Sequence, residues 1–172
     1  MPRHTRIVVA DTSVLINFLH LERLDLLERL PGYSFYVSEH VVAEVTRPDQ
    51  ATPLQGSLEA SRLHRAVMTD ATEIAVYDEL RRTLGDGESA TLAIAECRGW
   101  MVACDEKRRF RREAEARLGA DRILNTVSLI VIAIVDGLVT VDEADGFKQR
   151  LAERRFYIRA ASFADLIPRS GT

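Results

Sequence analysis

Apolar and polar positions divide the chain into short β-branched runs that alternate with segments of helical periodicity. The first run, residues 7–10, is apolar on both faces, as a strand inside a helix-covered parallel sheet would be, and it ends on Asp11, Thr12 and Ser13. Val14, Leu15, Phe18 and Leu19, then Leu24, Leu27 and Leu30, recur at helical spacing up to the stop signal of Pro31 and Gly32. Residues 33–37 predict a second strand, with Ser38 capping a helix over 39–46. The middle third is less regular. Residues 47–56, with Pro48 and Pro53, read as loop, 58–66 as helix and 67–69 as a short strand. Asp70 and Glu73 have capping-box spacing for a helix through Leu84.

The remainder is regular again. Residues 84–97 predict a Gly-flanked turn feeding a helix of small and apolar residues, buried on most faces and stopped by Gly99. Residues 100–104 form a strand that ends on Asp105, followed by a helix over 106–118 whose buried stripe is Phe110, Ala114 and Leu118. Ile123 and Leu124 make a brief strand, and Asn125 and Thr126 are cap candidates for residues 127–135. That segment could be a strand by composition, but its length, with Gly137 as a stop, favours a buried helix. Thr140 with Glu143 opens the last long helix, and Ser162 with Asp165 repeats the box before a short tail helix. Strands alternating with helices imply an α/β fold with a doubly wound parallel sheet. Residues 1–172 read as one domain, with C-terminal helices from about residue 140.

Composition narrows the function. A net charge of -3 argues against a protein that coats nucleic acid by bulk electrostatics, while leaving room for an enzyme with a local basic patch. Two cysteines, Cys97 and Cys104, suit neither a zinc site nor a disulfide framework, so a reducing, cytoplasmic setting is expected. The flank with Arg3 and Arg6 lacks the apolar core of a secretory signal, and residues 127–135 fall short of the roughly 20 needed to span a bilayer. No membrane association is expected.

The chemistry lies in the carboxylates. Asp11 and Asp105 each stand where an apolar strand gives way to a helix, the position at which open α/β sheets bind ligands. Either could instead be a helix cap. Glu44 lies beside the apolar face of Val41, Val42 and Val45 and could equally be an exposed surface glutamate. Asp86 and Glu88 occupy a first helical turn, where negative charge is favoured; Asp86 is explained by capping alone, whereas Glu88 is followed closely by Ala90, Leu92 and Ala93 on an inward-facing helix. Gathered carboxylates repel one another and are tolerated where a hard divalent cation shares them, which makes Mg²⁺ or Mn²⁺ the expected cofactor. Such ions promote phosphodiester hydrolysis. Lys107, Arg108, Arg109, Arg111 and Arg112 follow Asp105; they are either a solvated helix face or a grip for substrate phosphates, with Lys107, Arg108 and Arg111 the candidates for that grip.

The motifs ADTSVLIN around Asp11 and Ser13, VVAEV with Glu44, GDGES with Glu88, and ACDEKRRF with Asp105 together resemble those of the PIN-domain nucleases, above all VapC-like toxins and their stand-alone relatives. The resemblance runs from Ile7 to Ile167. It implies a three-layer α/β/α sandwich with a central parallel sheet and a Mg²⁺ or Mn²⁺ site. Asp11, Asp105 and Glu88 would be ligands, Glu44 would share in catalysis, and Ser13, Asp86 and Glu106 would support them. It further implies cleavage of RNA, a small antitoxin partner and homodimerisation. One departure stands out: where many relatives carry a further acid beyond the Asp105 position, this chain offers the adjacent Glu106 or the polar Asn125 and Thr126. One metal ion or two therefore stay open. Competing readings are a PIN-fold binding module without catalysis, a phosphatase, which would want an acid where Ser13 stands, and a receiver domain, which would want an acidic pair before Asp11.

Overall fold

In the computed structural model, which describes residues 4–169, five strands form one sheet. They are β1 (Arg6–Ala10), β2 (Tyr33–Ser38), β3 (His64–Ala66), β4 (Met101–Ala103) and β5 (Ile123–Leu124). All pair in parallel, in the order β3-β2-β1-β4-β5. From β1 the chain steps outward to β2 and β3, then returns to β4 on the other side of β1 and ends at β5. The topological switch point therefore lies between β1 and β4, whose register pairs Ala10 with Ala103. Asp11 and Cys104 come next along the two strands.

Period-two alternation explains the layers. Val8, Ala10, Phe35, Val37 and Ala103 point to one side, where they pack with α1 (Thr12–His20), α2 (Asp25–Arg29), α3 (Glu39–Glu44), α4 (Pro48–Glu59), α8 (Thr126–Val135) and α9 (Val141–Ala152). Val9, Val102 and Cys104 point to the other, against α5 (Ala71–Leu80), α6 (Asp86–Arg98) and α7 (Arg109–Leu118). The result is the three-layer α/β/α sandwich expected for the family resemblance. α6 buries Gly87 and Ser89 through Ala95, and its small side chains let its backbone approach the sheet closely. On this face Arg117 of α7 reaches Glu79 of α5 (2.6 Å) and Glu96 of α6 (2.9 Å), tying the three helices together.

The structure corrects the middle third. Residues 47–56 are not loop but most of α4, with Pro48 at the first helical position, where proline's missing N–H costs nothing, and Pro53 inside. The buried stripe of α4 is Gln50, Leu54 and Ser57, two of them polar, so the hydrophobic pattern alone conceals it. The third strand falls at residues 64–66, within the stretch read as helix, and not at 67–69. Asp70 does cap α5 by accepting from the Thr72 N–H (2.7 Å), but the helix ends at Leu80. Glu73 turns inward to Arg98 of α6 (2.5 Å). α7 begins at Arg109 rather than at Glu106, so Lys107 and Arg108 precede the helix and do not occupy its first turn. The reason is Glu106, whose carboxylate accepts from the N–H groups of Arg108 (3.0 Å) and Phe110 (2.8 Å) and stops the helix from extending backwards. Arg3 of the N-terminal flank lies outside the described residues, among which no helix is long and apolar enough to cross a membrane.

Phe110 anchors the start of α7, and with it the turn that carries Asp105, in the second core at 1% exposure. Replacing it with alanine should destabilise the fold by about 3–5 kcal/mol; urea denaturation monitored by circular dichroism checks this, and an unchanged midpoint would contradict the packing.

Candidate functional site

Asp11 is delivered by β1, held in the sheet by its own N–H donating to Ala103 (2.9 Å), and serves as the N-cap of α1. Its Oδ2 accepts from the backbone N–H of Ser13 (3.2 Å), from Ser13 Oγ (2.9 Å) and from Cys104 Sγ (3.5 Å). Its Oδ1 is buried and has no hydrogen-bond partner among the described residues. Burial raises the Asp11 carboxyl above the ordinary range, against the lowering effect of Ser13 and Cys104. One oxygen thus caps the helix, as the cap reading expects, and the other is left without a partner among the described residues.

Asp105 follows β4 and is fixed from three sides. Its N–H donates to Ser13 Oγ (3.1 Å), Oδ1 accepts from the Thr126 N–H (2.9 Å), and Oδ2 accepts from Thr126 Oγ1 (2.5 Å) and Asn17 Nδ2 (2.9 Å). Burial again raises its carboxyl; Thr126 and Asn17 pull it down, and the charge of Asp11 adds a smaller upward push. Ser13 therefore bridges the two aspartates.

Glu44, at the end of α3, accepts from Thr12 Oγ1 and from the backbone N–H of Gly87 (3.0 Å). A Cβ at residue 87 would come within 2.6–2.8 Å of the Glu44 carboxylate, so glycine is what lets this side chain lie against α6. Glu88, half-buried, closes a capping box on the Gly85 N–H (3.1 Å). Its carboxyl is raised first by burial and then by the charges of Asp11, Glu106 and Glu44, so these three acids lie within electrostatic reach of Glu88. Asp86 instead turns to Arg81 (2.8 Å) at the surface. Among the described residues no three His, Cys, Asp or Glu side chains stand close enough together to enclose an ion by themselves.

Lys107 and Arg111 line a cavity of about 330 Å³ that opens beside Asp105 and Glu106, whereas Arg108 is exposed. Arg111 is also paired with Glu115 (2.5 Å). Four residues that sequence reasoning did not credit with their roles are Asn17, Thr12, Thr126 and Gly87. Asn17 had a detectable signal, being an amide on the apolar face of a helix. The roles of Thr12 and Gly87 depend on contacts made by Glu44 across the fold and left no trace in the local pattern.

Two outcomes follow from this geometry. Gly87→Ala should fold at least as stably as the parent, because alanine favours the helix and the Cβ displaces only the flexible end of Glu44; calorimetric titration with Mn²⁺ should nevertheless show weaker binding, and unaltered binding would dissociate Glu44 from the site. The second concerns pH. A carboxyl raised by burial binds its proton more tightly folded than unfolded, so the stability that Asp11 and Asp105 contribute to the metal-free protein is fully present below the unfolded pKa and is lost as pH rises through the folded one. Asp11→Asn should accordingly raise the metal-free melting temperature at neutral pH and lose that advantage in acid; a variant less stable than the parent at neutral pH would refute the assignment of burial as the dominant effect.

A search of curated proteins returns no match. Solved structures similar to this chain include VapBC2 from Rickettsia felis bound to a DNA fragment from their promoter, at 15% identity and a TM-score of 0.47, covering 69% of this chain and 96% of that one. VapBC-1 from nontypeable Haemophilus influenzae matches at 16% identity and a TM-score of 0.45, covering 63% and 93%. The family model described as PIN domain matches residues 7–172, nearly the whole chain, and the chain belongs to the PIN-domain family.

Proposed function

We propose that this protein is a metal-dependent endoribonuclease, with Asp11, Glu44, Glu88 and Asp105 as its catalytic carboxylates. The observation that carries the reading is Asp11 Oδ1, a buried carboxylate oxygen without a partner at the switch point of the sheet, beside a second desolvated aspartate. Burying a charge in this way is costly unless an opposite charge joins it. The donor set is all hard oxygen, which suits Mg²⁺ or Mn²⁺. The spacing of the acids suits an ion gripped by one or two carboxylates and completed by water and substrate phosphate, as Mg²⁺ commonly is.

Asp11 and Asp105 would hold the ion, with Glu88 as a further ligand directly or through water. When bound, the ion supplies an activated water and neutralises charge on the scissile phosphate. Ser13, Asn17 and Thr126 keep the two aspartates fixed, which limits reorganisation during reaction. Glu88 Oε1 takes no hydrogen bond from the described residues and is the atom suited to accept the proton of the attacking water as the new oxygen–phosphorus bond forms and the bond to the leaving ribose oxygen breaks, that oxygen taking a proton from solvent. Glu44, held by Thr12 and Gly87, orients that water. Lys107, Arg108 and Arg111 lie after Asp105 and fit the phosphates on either side of the scissile bond. Glu106 supports the site by shaping the turn that carries these cations. Asp86, turned to Arg81, supports only the start of α6.

The resemblance of the motifs to VapC-like toxins further supports a cytoplasmic toxin with a small antitoxin partner, acting as a homodimer. Purified protein should cleave RNA in Mg²⁺ or Mn²⁺, lose the activity in excess chelator and regain it on metal addition, while Asp11→Asn stays inactive throughout. Its expression should arrest growth where the Asp11→Asn variant does not. Cleavage that persists in chelator, or an active Asp11→Asn enzyme, would overturn the mechanism.

A further inference from the structure

The cavity beside Asp105 has a wall that the carboxylate cluster does not account for. After α9 the chain returns past the start of α7 and α8, and Phe156, Tyr157 and Arg159 face this space. That wall is held firmly. Lys148 donates to the carbonyls of Ala160 (2.5 Å) and Ala161 (2.7 Å), Asp145 accepts from Ser162 Oγ (2.7 Å) and the Phe163 N–H (2.8 Å), and Phe163 is fully buried. Tyr157 nevertheless leaves 68% of its surface open, a large aromatic face on a fixed support. In a chain of net charge -3, three cations gather at the same rim: Lys107, Arg111 and Arg159. Among the described residues neither Lys107 nor Arg159 has a carboxylate partner. Asn125 spends its Oδ1 on the Ser128 N–H (2.9 Å), which leaves its NH₂ for a ligand.

Resting on the nuclease reading above, we propose that this cavity is a subsite for one nucleotide of single-stranded RNA next to the scissile bond, with its base stacked on Tyr157 and its phosphates held by Lys107 and Arg159. Exposed aromatic faces and unpaired cations are the two elements that single strands require, since every base offers a π-face and every linkage a charge. A volume of about 330 Å³ is at the small end of ligand pockets, which run from about 300 to 1,000 Å³ and match one nucleotide rather than a folded partner. The amide of Asn125 lies where it can donate to a base edge, giving the subsite a means of preferring one base over another.

Binding can be read without cleavage. An oligoribonucleotide carrying 2-aminopurine at successive positions is titrated into the Asp11→Asn protein, where at least one position should be quenched by stacking. In that background Tyr157→Ala should abolish the quenching and weaken binding roughly tenfold, while Tyr157→Phe retains both. Arg159→Ala should flatten the log-log salt dependence of binding by about 0.7. Because Tyr157 is exposed, an unchanged melting temperature is expected and separates lost stacking from lost folding. Quenching and affinity that survive Tyr157→Ala would overturn the subsite and leave the cavity to a protein partner. RNA cleavage by the parent with an unquenched probe would also overturn it while the nuclease reading stands; quenching that depends on Tyr157 without any cleavage in Mn²⁺ would support the subsite and count against the nuclease.

Discussion

A buried aspartate, Asp11, and a partly buried one, Asp105, follow the ends of adjacent central strands, and much of the surrounding structure serves to make that tolerable. Burial raises the proton affinity of both Asp11 and Asp105, and the charge of Asp11 raises that of Asp105 further. Ser13, Asn17 and Thr126 supply N–H and O–H groups from two elements, α1 and the start of α8, and so offset part of the cost. The offset is incomplete, because Asp11 Oδ1 receives no hydrogen bond from the described residues. A positive charge arriving at this point would complete it, and the metal proposal follows from that imbalance.

The rest of the site inherits its position from the same constraint. α6 can bring Glu88 near the aspartates only because its residues are small, and Glu44 can lie against α6 only because residue 87 has no side chain. Glu106 ends the strand-to-helix turn after Asp105 by accepting from the first N–H groups of α7, which leaves Lys107 and Arg108 ahead of the helix, Lys107 at the cavity wall. Residues 156–160 then close the far side of the cavity and help shape the region that follows β4.

How much of this was legible in the sequence depended on whether the signal was local. Strands that end on Asp11 and Asp105 announce themselves, because an apolar β-branched run followed by a cap residue is a contiguous pattern. The helices after β1, β4 and β5 carry apolar stripes and were equally readable. α4 was not, since Gln50 and Ser57 occupy its buried face and two prolines mimic a loop. The start of α7 was misjudged because Glu106 bonds forward to the backbone instead of joining the helix. The Thr12–Glu44–Gly87 arrangement joins residues on three separate elements, and no periodicity reveals such a contact.

The central claim is that the unclaimed oxygen of Asp11 is a metal position. Anomalous diffraction from crystals of the protein grown with Mn²⁺ tests it most directly. The account predicts a manganese peak at coordination distance from Asp11 Oδ1, with Asp105 as a direct ligand of the same ion. A peak elsewhere, or saturating Mn²⁺ with Asp11 Oδ1 still unbound, would contradict it.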